Sequence, residues 1–552
     1  MKKAMTTMLI LSCFSFVSCQ KPTNTDDYVI ICNKDGQALF EVVCDDKANE
    51  QTINIVESFI NKLQEKCNTS FVLKQSSSLD CENEIVVGSV DERENSLYYS
   101  FSSSPTSYNL SYENNDVVVF ASMDEALKTS LEVLYDSIEK LNDGSYGIKK
   151  DLKIQGDINM KTVVPRMMST IATYEGYYYC ENNNYQLGYS NASELDFKAY
   201  NNFLVEEGFE KAYENDKNNN KFSTLVKGDA FVSISYYPEV KRLHVLYGPK
   251  TELPSQQKVD STKVVEPSIT HIGRQGASQS SPGLSIVCQL KDGSYVIVDG
   301  GPNDENDGKA LLEFLKSNNP KEGKPQVTWM FTHAHHDHMG LAVSFLSKYY
   351  NEIDVKMFYY NFPDFDTLSI PSEYPNRIED SKELIAEFDE IYNSHYSNSK
   401  KYIFHTGDKL QLPGCEIEIL LTHEGFWPNE ISWINHTSSS WIMNFEGKTM
   451  MVLGDTEATL CQWLAASYKE KLKSDILQVT HHGLNGGDTK MYSYVDPSIC
   501  LWPIDQTRFE SEPMCLGTKY GFEFNAWIRD DSIRKRTHYA ASSTTTLYIK
   551  DL

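Results

Sequence analysis

The decapeptide FTHAHHDHMG, residues 331–340, sets His333, His335, His336, Asp337 and His338 within six positions of a chain that has 13 histidines in 552 residues. Neutral imidazoles and carboxylates are the donors that borderline divalent cations accept. His333 and His335, two apart, can converge on one ion, and Asp337 with His338 can serve a second. A pH-sensing or tag-like tract has no need of ordered flanks, yet the preceding VTWMF has the apolar, aromatic and β-branched character of a buried strand. The following GLAVSFLSKYY has helical apolar spacing. The cluster is therefore expected in a strand-to-helix loop, at the carboxyl edge of a sheet where ligands and catalytic groups collect.

Around this loop the chain repeats one device. SIVCQL and SYVIVDGG read as strands, the second running out at Asp299; a helix is expected from Gly308 to Ser317. NHTSSSWIMNF, KTMMVLGDT and DILQVTHHG then place His436, Asp455, and His481 with His482, at or beside the ends of apolar runs. Asp299 is expected to support a ligating histidine, because such an imidazole donates its other N–H to a carboxylate or carbonyl.

These separated motifs together resemble the metallo-β-lactamase superfamily. THAHHDH matches its HxHxDH, VIVDGG its aspartate strand, HTSS its middle histidine motif, VLGDT its bridging aspartate and THHG its last histidine. The resemblance covers residues 268–552 and implies an αββα sandwich with two divalent ions, zinc first, manganese or iron as alternatives. It implies His333, His335 and His436 on one ion, Asp337, His338 and His481 on the other, and Asp455 bridging. His423 is the reserve if His436 points away, since NHTSS lacks the glycine and proline of the usual motif. Asp337 and His482 are the expected catalytic groups, His482 meeting substrate or leaving group. The LGDT and DILQVTHHG phrasing looks most like the branch of competence DNA-uptake channel proteins and choline-phosphate esterases, which leans towards phosphodiesters. The expected nucleophile is a metal-bridging hydroxide.

The first eighteen residues, with Lys2, Lys3 and an apolar run too short to span a membrane, read as a secretory signal. FVSC resembles a bacterial lipobox, implying cleavage before Cys19, lipidation there and an extracytoplasmic, membrane-anchored protein. Cleavage takes away two lysines and no acid, moving the formal charge from −26 to −28. Such a surface repels nucleic acid, so a small-molecule or cell-envelope substrate is expected. No CxxC pair occurs, which argues against a thiolate zinc site. Cys32, Cys44, Cys67 and Cys81 are open to disulfide pairing or to remaining buried thiols.

The organisation expected is α/β: signal 1–18, tether 19–26, a small α/β domain 27–160, a small α+β domain 166–250, a linker 251–267 and the hydrolase domain 268–552. Within the second of these, YNNFLVEEGFEKAYEN, 200–215, reads as a helix, and its dense aromatics as core. The segment 349–409 is expected to cover or rim the site. Alternatives to the phosphodiesterase are a hydrolase of a lactone, thioester or β-lactam, a glycan- or peptide-binding lipoprotein with a vestigial metal domain, and a nuclease, which the charge disfavours.

Overall fold

The computed structural model describes residues 25–157, 172–249, 264–274 and 282–552, apart from short stretches at 45–47, 49, 76–77, 79–82, 89–106, 122–123, 181–183, 366–367, 369 and 427–430. Cys19, Cys81 and residues 251–263 of the expected linker lie outside the described residues. The nine described free cysteines, Cys32, Cys44 and Cys67 among them, are buried thiols. No helix among the described residues is long and apolar enough to cross a membrane. The chain divides into two compact units, 1–160 and 161–552.

The first unit has a six-stranded sheet in which Glu41–Cys44 lies parallel to Leu73–Gln75 and Glu84–Val87, and Glu84–Val87 parallel to Asp116–Ala121; Ser107–Glu113 and Lys153–Asp157 continue it antiparallel. The helix Glu50–Cys67 buries Val56, Phe59, Ile60, Leu63 and Cys67, the stripe that a 3.6-residue period lays on one face. A shorter helix, Asp124–Ser137, does the same with Leu127, Leu131 and Leu134.

The second unit is built on two seven-stranded sheets packed face to face, with Met330, Val298, Trp441, Met443 and Met450 in the layer between them. Helices cover the outer faces: Leu311, Phe345 and Phe388 pack over Trp329 on one side, and Leu460, Leu464 and Tyr492 pack over Met451 and Leu477 on the other. This is the αββα order. Parallel pairings at the centres of both sheets send every strand-to-helix loop to one edge.

An all-antiparallel six-stranded sheet, spanning Thr173–Tyr179 to Arg242–Pro249, belongs to the same unit. Its Phe222, Phe231 and Tyr237 share a core with Trp463 and Leu464. The helix expected over 200–215 is two elements. A capping box at Ser193 and Asp196 starts the helix Glu194–Glu206, and Gly208, at φ +90°, ends it. EKAYENDK then pairs antiparallel with Asn220–Lys227 as an edge strand, whose exposed alternation imitates an amphipathic helix over two turns.

Two histidines of this unit are held neutral. Burial, helped by the Arg242 charge, pushes His244 down to about 3, and burial pushes His271 down to about 4. In the unfolded chain both titrate near 6.5. Stability is therefore complete above pH 6.5 and falls as pH drops towards 4, because only the unfolded state takes up these protons. At pH 5 the expected loss is about 2 kcal/mol for each. Urea unfolding in chelator at pH 7.5 and 5.0 measures it, and His271→Gln should shrink the difference by its share.

Candidate metal centre

Four strand ends deliver the site. Tyr295–Asp299 ends with Asp299 itself in the left-handed region, φ 54°. This turns its carboxylate back across the sheet to accept from Thr332 N at 2.8 Å, Thr332 Oγ1 at 2.7 Å and His338 Nδ1 at 2.7 Å. Gln326–Met330 leads into the histidine loop, and the helix His336–Tyr349 starts inside it. Lys448–Val452 ends at Gly454, also left-handed, where a Cβ would lie 2.8 Å from the Thr332 side chain; the backbone then places Asp455. Ile476–Gln478 leads to His481 and His482, both left-handed, at φ 46° and 57°. Non-glycine residues adopt that region at a cost, and it concentrates at functional turns.

Gln478 clasps the last two turns together. Its Oε1 accepts from Leu453 N and Gly454 N at 2.7 and 2.8 Å, and its Nε2 donates to Gly454 O at 3.0 Å. Sequence reasoning passed over this residue, since a glutamine at a strand end announces no chemistry.

Two groups of donor atoms result, each within 4.8 Å: Asp337, His338, Asp455 and His482 in one, His333, His335 and Asp455 in the other. His338 Nε2 lies 3.0 Å from Asp455 Oδ1 and 3.3 Å from His482 Nε2. His482 Nε2 is 3.3 Å from Asp337 Oδ2 and 3.4 Å from Asp455 Oδ1, while its Nδ1 meets Pro503 O at 2.9 Å, which fixes the ring. Of the neighbouring pair, then, His482 joins the cluster. His481 faces the cleft instead, its Nε2 3.6 Å from Asp455 Oδ2 and 3.3 Å from Asn435 Nδ2. The donor group thus contains His482 where His481 was expected, because the left-handed backbone at both residues turns the second imidazole, rather than the one nearer the strand, toward Asp455.

His436 belongs to neither group. Its Nε2 sits 3.4 Å from Glu457 Oε2, and its Nδ1 accepts from Ser432 N at 3.2 Å. His423, the reserve, is buried in the one-turn helix His423–Phe426 and also stands outside both groups. His405 is paired with Glu424 at 2.9 Å, His395 stacks on Tyr350, and His538 accepts from Trp502 Nε1.

The cluster's electrostatics call for positive charge. Burial alone would raise Asp455 and Asp337, but the neighbouring histidines hold both carboxyls well below the usual range. Burial likewise opposes charge on His482, yet Asp455 and Asp337 outweigh it and push the imidazole up to about 9. His338 is raised in the same way by Asp455 and Asp299. Protons on these rings thus stand where divalent cations would bring charge, and binding such ions would displace them. His333 Nε2 and His335 Nε2 are buried with no hydrogen-bond partner. Orphaned imidazole nitrogens beside a buried carboxylate are the donor set a divalent metal needs, so the residues fit the group.

A cleft of about 460 Å³ opens over the cluster, lined by His335, Asp337, Asp455, His481 and His482 together with Asn435 and Leu484. From the segment expected to rim the site, the helix Pro375–His395 contributes Arg377, Asp380 and Ser381.

Residues 281–494 match the family model of the metallo-beta-lactamase superfamily. The match takes in the histidine loop, Asp455 and the His481–His482 turn, so this stretch of the chain is similar to the metallo-β-lactamase superfamily. That stretch has the fold of metal-dependent hydrolases, and its His and Asp cluster could hold divalent metal. No curated protein matches the chain. Solved structures similar to it include the metallo-β-lactamase fold protein YhfI from Bacillus subtilis, at 13% identity and TM-score 0.32, covering 51% of this chain and all of that one. Another is CmlA, a diiron β-hydroxylase from Streptomyces venezuelae, at 12% identity and TM-score 0.31, with 55% of each chain covered. A long form RNase Z from yeast aligns at 12% identity and TM-score 0.24 over 45% of this chain and 38% of its own.

Asp299 is the residue through which this stretch orients His338. Asp299→Asn keeps the shape but removes the anionic acceptor from His338 Nδ1, and zinc affinity measured by chelator competition is expected to fall roughly 10- to 100-fold. An unchanged affinity would mean that Thr332 suffices to hold the ring.

Proposed function

We propose that this protein is a dinuclear metal-dependent phosphodiesterase, anchored outside the cytoplasm by lipid on Cys19. The observation that carries the reading is the pair of donor groups sharing Asp455. Asp337, His338, Asp455 and His482 would hold one ion, and His333, His335 and Asp455 the other, zinc being the expected metal. Two divalent ions there supply Lewis acidity on phosphoryl oxygens and a water whose pKa is brought near neutrality.

The chain's own residues do the rest. Asp299 and Pro503 O fix the rings of His338 and His482, so the donors are oriented before substrate arrives. Asp337, with 32% of its side chain exposed, presents the cluster to the cleft. His481 and Asn435 lie at the cleft wall within 3.3 Å of each other, where either can donate a hydrogen bond to the departing oxygen. Burial of His333, His338, Asp455 and His482 excludes bulk water and strengthens each of these interactions. Anchoring at Cys19 rests on the lipobox-like FVSC, and the acidic surface favours a small-molecule or envelope substrate over nucleic acid.

The test is a substrate panel on the zinc-loaded chain: bis(p-nitrophenyl) phosphate, a lactone and a cephalosporin. Turnover of the phosphodiester well above the other two is expected. Turnover of the lactone or the cephalosporin alone would overturn the phosphodiester assignment and keep the hydrolase. For the anchor, Cys19→Ala should release the protein from the membrane fraction.

A further inference from the structure

Among the described residues, one cation besides the histidines lines the cleft: Arg377, in the first turn of the helix Pro375–His395. In this acidic chain other arginines spend their guanidinium groups. Arg274 bonds Asp307 at 2.6 Å, Arg534 bonds Asp496 at 2.9 Å, Arg529 donates to Phe509 O at 3.0 Å, and Arg242 pairs with Glu175. The Arg377 guanidinium donates no hydrogen bond among the described residues. Its side chain is 56% exposed and stands 4.0 Å from Glu373 Oε1, the outer limit of an ion pair. Glu373 is itself occupied, accepting from Tyr374 N at 3.1 Å and Ile434 N at 3.2 Å. Those two bonds fasten the start of the helix to the turn Ile434–Thr437, and so hold Arg377 at the cleft wall.

A guanidinium presents a planar fork of donors that matches an oxyanion with two parallel bonds. With more than half of its side chain exposed, Arg377 keeps that fork accessible to a ligand in a cleft that also contains Asp337, Asp380 and Asp455. We propose that Arg377 is the specificity residue that holds an oxyanion of the substrate, a phosphoryl oxygen or a carboxylate, beside the metal cluster. This deepens the phosphodiesterase reading by making the substrate anionic at the point where Arg377 reaches it. Neutral esters gain nothing from this residue.

The experiment compares the zinc-loaded full chain with Arg377→Gln, Arg377→Lys and Lys382→Gln. The last removes one positive charge from the same helix, at a residue paired with Glu379 that does not line the cleft. Inorganic phosphate and acetate are titrated calorimetrically, and KM and kcat for bis(p-nitrophenyl) phosphate are measured in parallel. Arg377→Gln should weaken phosphate or acetate binding roughly 10- to 100-fold and raise KM similarly, with kcat changing less than about threefold. Lysine should restore part of the loss, and Lys382→Gln should behave as the parent. Phosphate weakened alone identifies a phosphoryl group; both anions weakened identifies a general oxyanion seat. Equal anion affinity in the parent and Arg377→Gln, or no anion binding by the parent, overturns the proposal. If the parent hydrolyses only a neutral ester while Arg377→Gln still loses anion affinity, the phosphodiester reading fails and the oxyanion seat stands.

Discussion

Asp455→Ala is expected to abolish turnover by roughly 10³-fold or more and to take metal with it, since loss of Lewis-acid stabilisation removes several kcal/mol from the transition state. Asp455 is the donor common to both groups. Its carboxylate lies 3.0 Å from His338, 3.4 Å from His482 and 3.6 Å from His481. Without it, imidazoles face one another across a buried space with no central anion to balance incoming positive charge. The measurement is steady-state turnover beside elemental analysis, with thermal unfolding in chelator as the control for folding. Asp455→Asn, of the same shape, should lose nearly as much, because an amide is a poor metal donor. Retention of metal and rate by either variant would remove Asp455 from the centre.

The second large effect separates two adjacent histidines. His482→Gln is expected to weaken metal binding by about 100-fold, losing a donor whose other nitrogen is already fixed on Pro503 O. His481→Gln should keep its metal and lose about tenfold in kcat, the effect of removing one hydrogen-bond donor from the departing oxygen. Chelator competition reads the first and initial rates read the second. The reverse pattern would restore His481 as ligand and place His482 with the substrate.

Much of this centre was legible in the chain. HxHxDH after a buried apolar run, and aspartates closing VIVDGG and MMVLGD, place acids and imidazoles at strand ends whatever the details of packing. The sandwich was legible because its strands are continuous apolar runs, as strands covered on both faces must be. Three things were not legible, each for a physical reason. His481 and His482 occupy left-handed backbone, where the alternation of strand side chains no longer says which one points inward. His436 is taken by Glu457 and Ser432, contacts between residues whose meeting no spacing announces. Residues 210–217 have an alternating polar pattern that suits an edge strand and a helix face alike, and Gly208 decides between them. Arg377 belongs with these: nothing in PNRIED distinguishes it from any surface arginine until the helix is seen to start at the cleft.

The most direct test is the metal content of the purified soluble chain, residues 20–552, after dialysis against zinc and then metal-free buffer, measured by elemental analysis beside Asp455→Ala. About two zinc ions per chain are expected in the parent and fewer than one in the variant. A parent that retains no divalent metal, whether supplied with zinc, manganese or iron, would contradict this.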